Sequence, residues 1–168
     1  MKKTWLKIKE FKFTDLKKTG LKELNKGVFR TSPWINNIVR RKNFALKKKF
    51  LPIELVRIKV KDLGYSNPVE LKKIYTKAKA KGFHLVPPEI AIYSRLIYKK
   101  QKIGEWIRFA TPFKSMIDSD GVPHLPKLGK ALGKKFLETY WSYPDAIFHP
   151  HNDFLVIRFN VKKKIKTN

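Results

Sequence analysis

The excess of positive charge limits what this chain can fold into more than any other feature of its sequence. Lys and Arg number 39 and Asp and Glu number 13 in 168 residues, so the net charge is +26. Such a surplus repels itself unless salt or a polyanion neutralises it. Hydrophobic residues still make up 42% of the chain, which is enough apolar surface for one folded core. A wholly disordered polycation is therefore excluded.

The composition also restricts the cellular compartment in which we expect the protein. The chain has no cysteine, which excludes disulfides, thiolate zinc sites and thiol nucleophiles. Its first three residues resemble the start of a signal peptide, but Lys7, Lys9 and Glu10 interrupt the apolar core that should follow. No stretch of the sequence approaches the roughly 20 apolar residues that span a bilayer. We expect a soluble, cytoplasmic protein with no membrane contact.

The positive charge is concentrated towards the N-terminus. Residues 1–50 carry 16 basic and three acidic side chains, a net charge of +13, and the longer remainder carries the same net charge. This imbalance predicts a basic N-terminal segment at 1–50, an α+β domain at 51–161 and a basic tail at 162–168.

A helix predicted near the end of this segment leads into its most basic residues. Ser32 offers a capping hydroxyl and Pro33 suits the first helical position. Trp34, Ile35, Ile38 and Val39 then form an apolar stripe, so we expect the helix to dock the segment on the domain. The residues predicted to contact nucleic-acid phosphates are Arg40, Arg41, Lys42, Lys47, Lys48, Lys49 and, in the domain, Arg108.

Local patterns in the domain place helices before most of the strands. A strand around 55–60 precedes a helix between Asn67 and Gly82 and a second helix from Pro88 to about Tyr98. Runs of aromatic and β-branched residues then predict strands at 105–113, 135–141 and 153–161. This order indicates an α+β fold in which two or three helices pack on one face of a mostly antiparallel sheet.

Two short sequences resemble metal sites. His149 and His151 precede Asp153, but the proline between the two histidines favours a polar turn. Residues 118–121 resemble the start of a calcium loop, yet the position that needs a glutamate falls on Gly129, so a hairpin turn is favoured. We therefore predict neither a metal site nor a cofactor.

The part of the chain between residues 55 and 159 contains a series of short sequences in characteristic order. They are VKDLGY (60–65), PPEI (87–90), RLIY (95–98), Gln101, GEWI (104–107), DSDGVP (118–123), YW (140–141) and FHP (148–150). In these the chain resembles a family of small uncharacterised bacterial proteins common in candidate-phylum genomes, although Asp is more usual at position 149. Because that family has no established function, the resemblance implies no activity, cofactor or catalytic residue.

Within this region, five polar or amphipathic residues surround the predicted junction between the second helix and the next strand. They are Arg95, Tyr98, Gln101, Glu105 and Trp106. A helix end that meets a strand start forms a natural cleft, so a ligand site is expected there first. The alternative is an ion pair between Arg95 and Glu105 that ties the helix to the sheet.

The sequence favours a non-enzymatic nucleic-acid-binding protein. It contains no Walker A, G-x-G-x-x-G, H-E-x-x-H or G-x-S-x-G motif. Lysines outnumber arginines by 32 to seven, and lysine suits phosphates better than base edges. We therefore predict largely sequence-independent binding to RNA, the ribosome or DNA. Two alternatives stay open: a nuclease or RNA-targeting toxin, and a protein-interaction module whose lysine excess reflects genome composition.

Aromatic residues interleaved with cations add to this prediction. Trp106 and Arg108 alternate with Ile107 and Phe109, and only one face of a strand can lie in a core. A ring left at the surface beside a cation can stack on single-stranded bases.

Overall fold

The computed structural model describes residues 2–41 and 44–159 of the chain. The strands in this part are β1 (Thr4–Ile8), β2 (Phe29–Thr31), β3 (Ile53–Lys59), β4 (Val69–Glu70), β5 (Phe83–His84), β6 (Trp106–Phe109), β7 (His124–Ala131), β8 (Lys134–Trp141), β9 (Ile147–Phe148) and β10 (Asp153–Arg158). The α-helices are α1 (Leu21–Leu24), which follows a π-helical turn at Leu16–Gly20, α2 (Pro33–Val39), α3 (Leu71–Ala80) and α4 (Pro88–Ile97). Short 3-10 turns lie at Lys48–Phe50 and Val60–Leu63. The predicted α+β class is confirmed.

A mixed sheet of eight strands organises the molecule. Seven strands follow one another in the order β1-β3-β10-β6-β7-β8-β2, and β5 adds to β10. The pairs β10–β6 and β2–β8 are parallel, and the other neighbours in this sheet are antiparallel. β4 and β9 form a separate two-stranded sheet.

Both faces of the central strands are apolar, so both need to be covered. Leu55 and Leu155 join a core cluster with residues of α1, α2 and α4, whereas Val56 and Val156 join a second cluster with residues of α3. Because successive side chains of a strand point to opposite faces, α3 lies across the sheet from the other three helices. The order of helices and strands in the sequence indicated that the helices pack on one face of the sheet. In the structure they lie on both faces.

Residues 1–50 contribute both edges of the central sheet. β1 pairs with β3 at one edge, and β2 pairs with β8 at the other. The Glu54 carboxylate on β3 accepts hydrogen bonds from Thr4 on β1 and from Arg158 on β10. The division between 1–50 and 51–161 stays a prediction, and the predicted tail at 162–168 lies outside the described residues.

Candidate nucleic-acid interface

On one part of the sheet, aromatic and cationic side chains occupy a face that no helix covers in the described part of the chain. It comprises the side chains of β2, β8, β7 and β6 that point to the same face as α3, and we call it the cationic–aromatic face. Its charged and aromatic members are Arg30, Trp106, Arg108, Lys127, Lys134, Phe136, Glu138 and Tyr140. The three aromatic residues belong to neither core cluster, but they differ in exposure: Tyr140 is 37% exposed, Trp106 is half-buried and Phe136 is buried.

A glycine in β7 determines where the Trp106 ring lies. Gly129 is the cross-strand partner of Trp106, and a β-carbon at position 129 would lie 2.2 Å from the nearest ring atom. Carbon atoms in contact are normally about 3.5–4.0 Å apart, so the indole occupies the space of the missing side chain. The Phe136 ring lies beside it, with 5.7 Å between the ring centroids.

Two cations lie beside these rings. Arg108 and Lys127 are direct cross-strand partners. The Arg108 guanidinium is 5.3 Å from the ring centroid of Tyr140 and 5.5 Å from that of Phe148, and the Lys127 Nζ is 4.6 Å from that of Trp106. Among the residues that the structure describes, neither cation forms an ion pair with a carboxylate.

The positions of these two cations are electrostatically unfavourable. Burial lowers the pKa of the Arg108 guanidinium. Burial also lowers the pKa of the Lys127 ammonium, and the positive charge of Arg108 lowers it further. Glu138 acts in the opposite direction on the pKa of Lys127 but does not reach ion-pair distance. Like charges held partly out of water are costly, and an anion above the face would offset that cost.

The aromatic surface continues around the end of β8. Trp141 is 62% exposed and its ring centroid is 6.4 Å from that of Tyr140. Trp141 is the cross-strand partner of His124, on whose imidazole Trp34 of α2 stacks at 5.7 Å. Tyr143, in the turn that follows, is also exposed.

The imidazole under Trp34 is held by the predicted hairpin turn. Asp118 accepts hydrogen bonds from the backbone N–H groups of Asp120 and Val122, both at 2.9 Å, which confirms the turn. Its other oxygen lies 2.8 Å from the His124 Nε2. The hydrogen bond with His124 is the largest of the causes that lower the pKa of Asp118. An ionised carboxylate can only accept, so Nε2 is the donor. Sequence reasoning missed this pair.

The structure brings the predicted phosphate contacts together only in part. Arg40 and Arg41 are exposed at the end of α2, and Lys47, Lys48 and Lys49 are exposed around the 3-10 turn Lys48–Phe50. α2 packs on the face of the sheet opposite the cationic–aromatic face, and Leu46 and Phe50, which flank the three lysines, pack in the same core cluster. These five cations are therefore separated from Arg108. Lys42 lies outside the described residues.

Four of the five residues predicted around a cleft do meet. Arg95 donates hydrogen bonds to the side-chain oxygen of Gln101 and to the Tyr98 carbonyl, the latter at 2.6 Å. Gln101 in turn donates to the Glu105 carbonyl at 3.1 Å. Arg95 is completely buried, and this desolvation lowers the pKa of its guanidinium to about 10. Trp106 points to the opposite face of the sheet.

The Glu105 carboxylate does not pair with Arg95 but with Arg57 on β3. Arg57 also binds Asp153 at 2.7 Å. The hydrogen bond to Asp153 is the largest cause that raises the pKa of Arg57, and the hydrogen bond to Glu105 raises it further. The Arg57 guanidinium thus joins Glu105 and Asp153, which are far apart in the sequence but lie on neighbouring segments of the sheet. The sequence did not indicate this contact.

The two neighbouring histidines lie in a turn, as predicted. The His149 N–H donates to the Asn152 side chain and the Asn152 N–H to the His149 carbonyl, both at 2.9 Å. The rings of His149 and His151 stack at 5.6 Å. Within residues 2–41 and 44–159, no three His, Asp or Glu side chains group closely enough to hold a metal ion.

Comparisons add no relative to this description. No family model, curated protein or solved structure matches the chain. The resemblance of residues 55–159 to an uncharacterised bacterial family therefore stays a prediction. In the described part of the chain, every helix is too short or too polar to cross a bilayer.

Proposed function

We propose that this protein binds single-stranded RNA or DNA through its cationic–aromatic face, largely without regard to sequence. The observation that carries the proposal is the pair of partly buried cations, Arg108 and Lys127, which lie opposite each other and form no ion pair among the described residues. Glu138 opposes Lys127 across the strands and offsets only part of this charge. A phosphate group bound between them would supply the missing negative charge.

The neighbouring rings favour a single strand. Tyr140 and Trp106 present ring surfaces within 6 Å of these cations, and unpaired bases stack on such rings whatever their identity. The bases of a duplex are already stacked and cannot reach a flat sheet face. Arg30, 5.8 Å above the Phe136 ring, extends the positive charge towards β2.

The exposed cations on the opposite face have a separate role in this proposal. Arg40, Arg41 and Lys47–Lys49 attract the polyanion over longer distances and add sequence-independent affinity. Such binding would take place in the cytoplasm, where single-stranded RNA and ribosomes are abundant.

The test is fluorescence anisotropy with labelled oligouridine of about 12 nucleotides, a length within the usual site size, against a duplex of the same length. We expect tighter binding of the single strand and an affinity that falls steeply with salt. The variant R108Q/K127Q should bind about tenfold more weakly, with a salt slope smaller by about 0.7, because the phosphate contact between the two cations is lost. The matched control K22Q/K114Q removes the same charge from exposed positions elsewhere and should change affinity little.

Equal affinity for duplex and single strand, or equal behaviour of the two double variants, would refute the proposed interface. Progressive cleavage of the oligonucleotide would replace the proposal with the nuclease alternative. Absence of binding at about 50 mM salt, where nonspecific binders are readily detected, would favour the protein-interaction module.

A further inference from the structure

The cationic–aromatic face carries one acidic side chain among its described residues, that of Glu138. Glu138 lies on β8 between Phe136 and Tyr140, whose side chains point to the same face. Its cross-strand partner is Lys127, and Lys127 is in turn the partner of Arg108. The carboxylate therefore ends a row of charged side chains that crosses the face from β6 to β8.

This carboxylate is an acceptor without a donor. Lys127 attracts it but does not reach ion-pair distance. Within the described parts of the chain, no side chain or backbone group donates a hydrogen bond to it. Glu138 is half-buried, and neither of its oxygens is buried without a partner. The carboxylate is therefore open to a donor that approaches from solvent.

An acid at this position restricts which part of a nucleic acid can lie above it. The strands of Glu138 and Lys127 are neighbours, about 5 Å apart, so a strand whose phosphate binds Lys127 passes close to the carboxylate. A second phosphate there would be repelled. Phosphate and ring oxygens of the backbone only accept hydrogen bonds, whereas the ribose 2′-hydroxyl group can donate one. DNA has no such group.

Donors on the base edges fit this position less well. They differ from one base to the next, whereas rings and cations of this kind hold a strand whatever its sequence. The 2′-hydroxyl group recurs at every ribonucleotide, so a carboxylate that accepts from it adds no sequence preference.

We infer that the single-stranded ligand of this face is RNA rather than DNA, and that Glu138 selects it by accepting a hydrogen bond from a ribose 2′-hydroxyl group. The inference rests on the proposed function, because it requires a phosphate of the strand between Arg108 and Lys127. The acid acts in both directions. It favours a strand that offers a donor and disfavours a polyanion that offers none.

Three labelled 12-nucleotide strands test the inference by anisotropy with the full-length protein: oligouridine, oligo-2′-deoxyuridine and oligo-2′-fluoro-2′-deoxyuridine. They share bases and phosphates, and only the first has a 2′-hydroxyl donor. The fluorinated strand keeps a ribose-like sugar conformation, so it separates the donor from the shape of the backbone. We expect oligouridine to bind about tenfold more tightly than the other two, the usual effect of one hydrogen bond to a charged group. Equal affinity of the hydroxyl and fluoro strands would overturn the inference.

A variant of the acid tests the role assigned to Glu138. E138A should bind oligo-2′-deoxyuridine more tightly than the unaltered protein does, because an acid beside the phosphates is gone. Its preference for oligouridine should disappear. The matched control E10A removes the same charge at an exposed position after β1, at the opposite edge of the sheet, and should keep the tenfold preference. A preference that persists in E138A, or that E10A loses equally, would overturn the role of Glu138.

The outcomes separate this inference from the proposed function. If the single strand binds better than the duplex and R108Q/K127Q weakens binding, but the three strands bind equally, the interface stands and only the selection of RNA fails. If the duplex binds as well as the single strand, the interface fails and the inference fails with it. Should E138A not fold, the comparison of the three strands on the unaltered protein still decides.

Discussion

The substitution G129A tests whether the position of the Trp106 ring matters for nucleic-acid binding, because it displaces the ring without removing a charge. The added methyl group would lie 2.2–2.5 Å from three atoms of the indole, more than 1 Å inside normal contact. The backbone at Gly129 is not in the left-handed region, so alanine is tolerated there apart from this clash. Trp106 must therefore move away from the sheet.

The expected magnitude follows from this overlap. Overpacking of this kind lowers the free energy of unfolding by about 1–3 kcal/mol, which is about 3–10 °C in Tm for a chain of this size. Loss of one stacking ring weakens oligouridine binding by about 1–3 kcal/mol. The salt slope should stay as it is, because the number of phosphate contacts is unchanged.

The assay combines thermal unfolding with an anisotropy titration at several salt concentrations. G27A is the matched control, because a β-carbon at Gly27 meets no atom within 4 Å; it should change stability by less than about 0.5 kcal/mol. In the background W106A, G129A should cost little, since the clashing ring is gone. The reasoning is refuted if G129A is equally costly with and without Trp106, or if it leaves oligouridine affinity unchanged.

Two further predictions concern the buried polar clusters. R95M should lower the free energy of unfolding by about 1–3 kcal/mol, because the acceptors of Arg95 lose their donor. It should leave oligouridine binding unchanged. Urea unfolding measures the loss of stability, with K22M as the control at an exposed position. D118N should be less stable than the unaltered protein at neutral pH. The folded-state pKa of Asp118 is depressed, so its contribution to stability is present above the unfolded pKa of about 4 and is lost as the pH falls through the folded value. The urea midpoint should therefore fall less between neutral and acidic pH in D118N than in the unaltered protein. D120N should behave as the unaltered protein does.

The local elements were largely predictable because their signals lie within a few residues of one another. Pro33 and Pro88 begin α2 and α4 as predicted. The helix expected after Asn67 begins only at Leu71, because Val69 and Glu70 pair with β9, a partner almost 80 residues away. Tertiary pairing of this kind overrides a local capping signal.

The strand β7 was missed, and with it most of the candidate interface. Pro126 and Gly129 are both unfavourable in strand interiors, and lysines separate the few apolar residues. Its strand conformation depends on pairing with β6 and β8. The alternation of Trp106 and Arg108 correctly indicated a ring outside the core, but Lys127 and Tyr140 could not be placed beside it without the strand order.

The last prediction concerns residues 1–50, which were expected to dock on an independent domain at some cost in stability. The structure favours a larger effect. Among the described residues of this segment, nine apolar side chains are buried: Ile8, Leu16, Leu21, Leu24, Ile35, Ile38, Val39, Phe44 and Leu46. At about 1.5 kcal/mol each, their loss is comparable to the entire stability of an ordinary domain, about 5–15 kcal/mol. Deletion also leaves β3 and β8 as open edges, which are prone to aggregate.

We therefore expect residues 51–168 alone to lack a cooperative thermal transition and near-ultraviolet circular dichroism. Supplying residues 1–50 as a separate chain should restore both signals, since the missing strands can pair with β3 and β8. The substitutions R40E and R41E in the full chain form the control, because both side chains are exposed: Tm should stay nearly constant while oligouridine affinity falls. A truncated chain that melts cooperatively near the Tm of the full chain would show that the segment is an appendage after all, and its cations would then act from outside the fold.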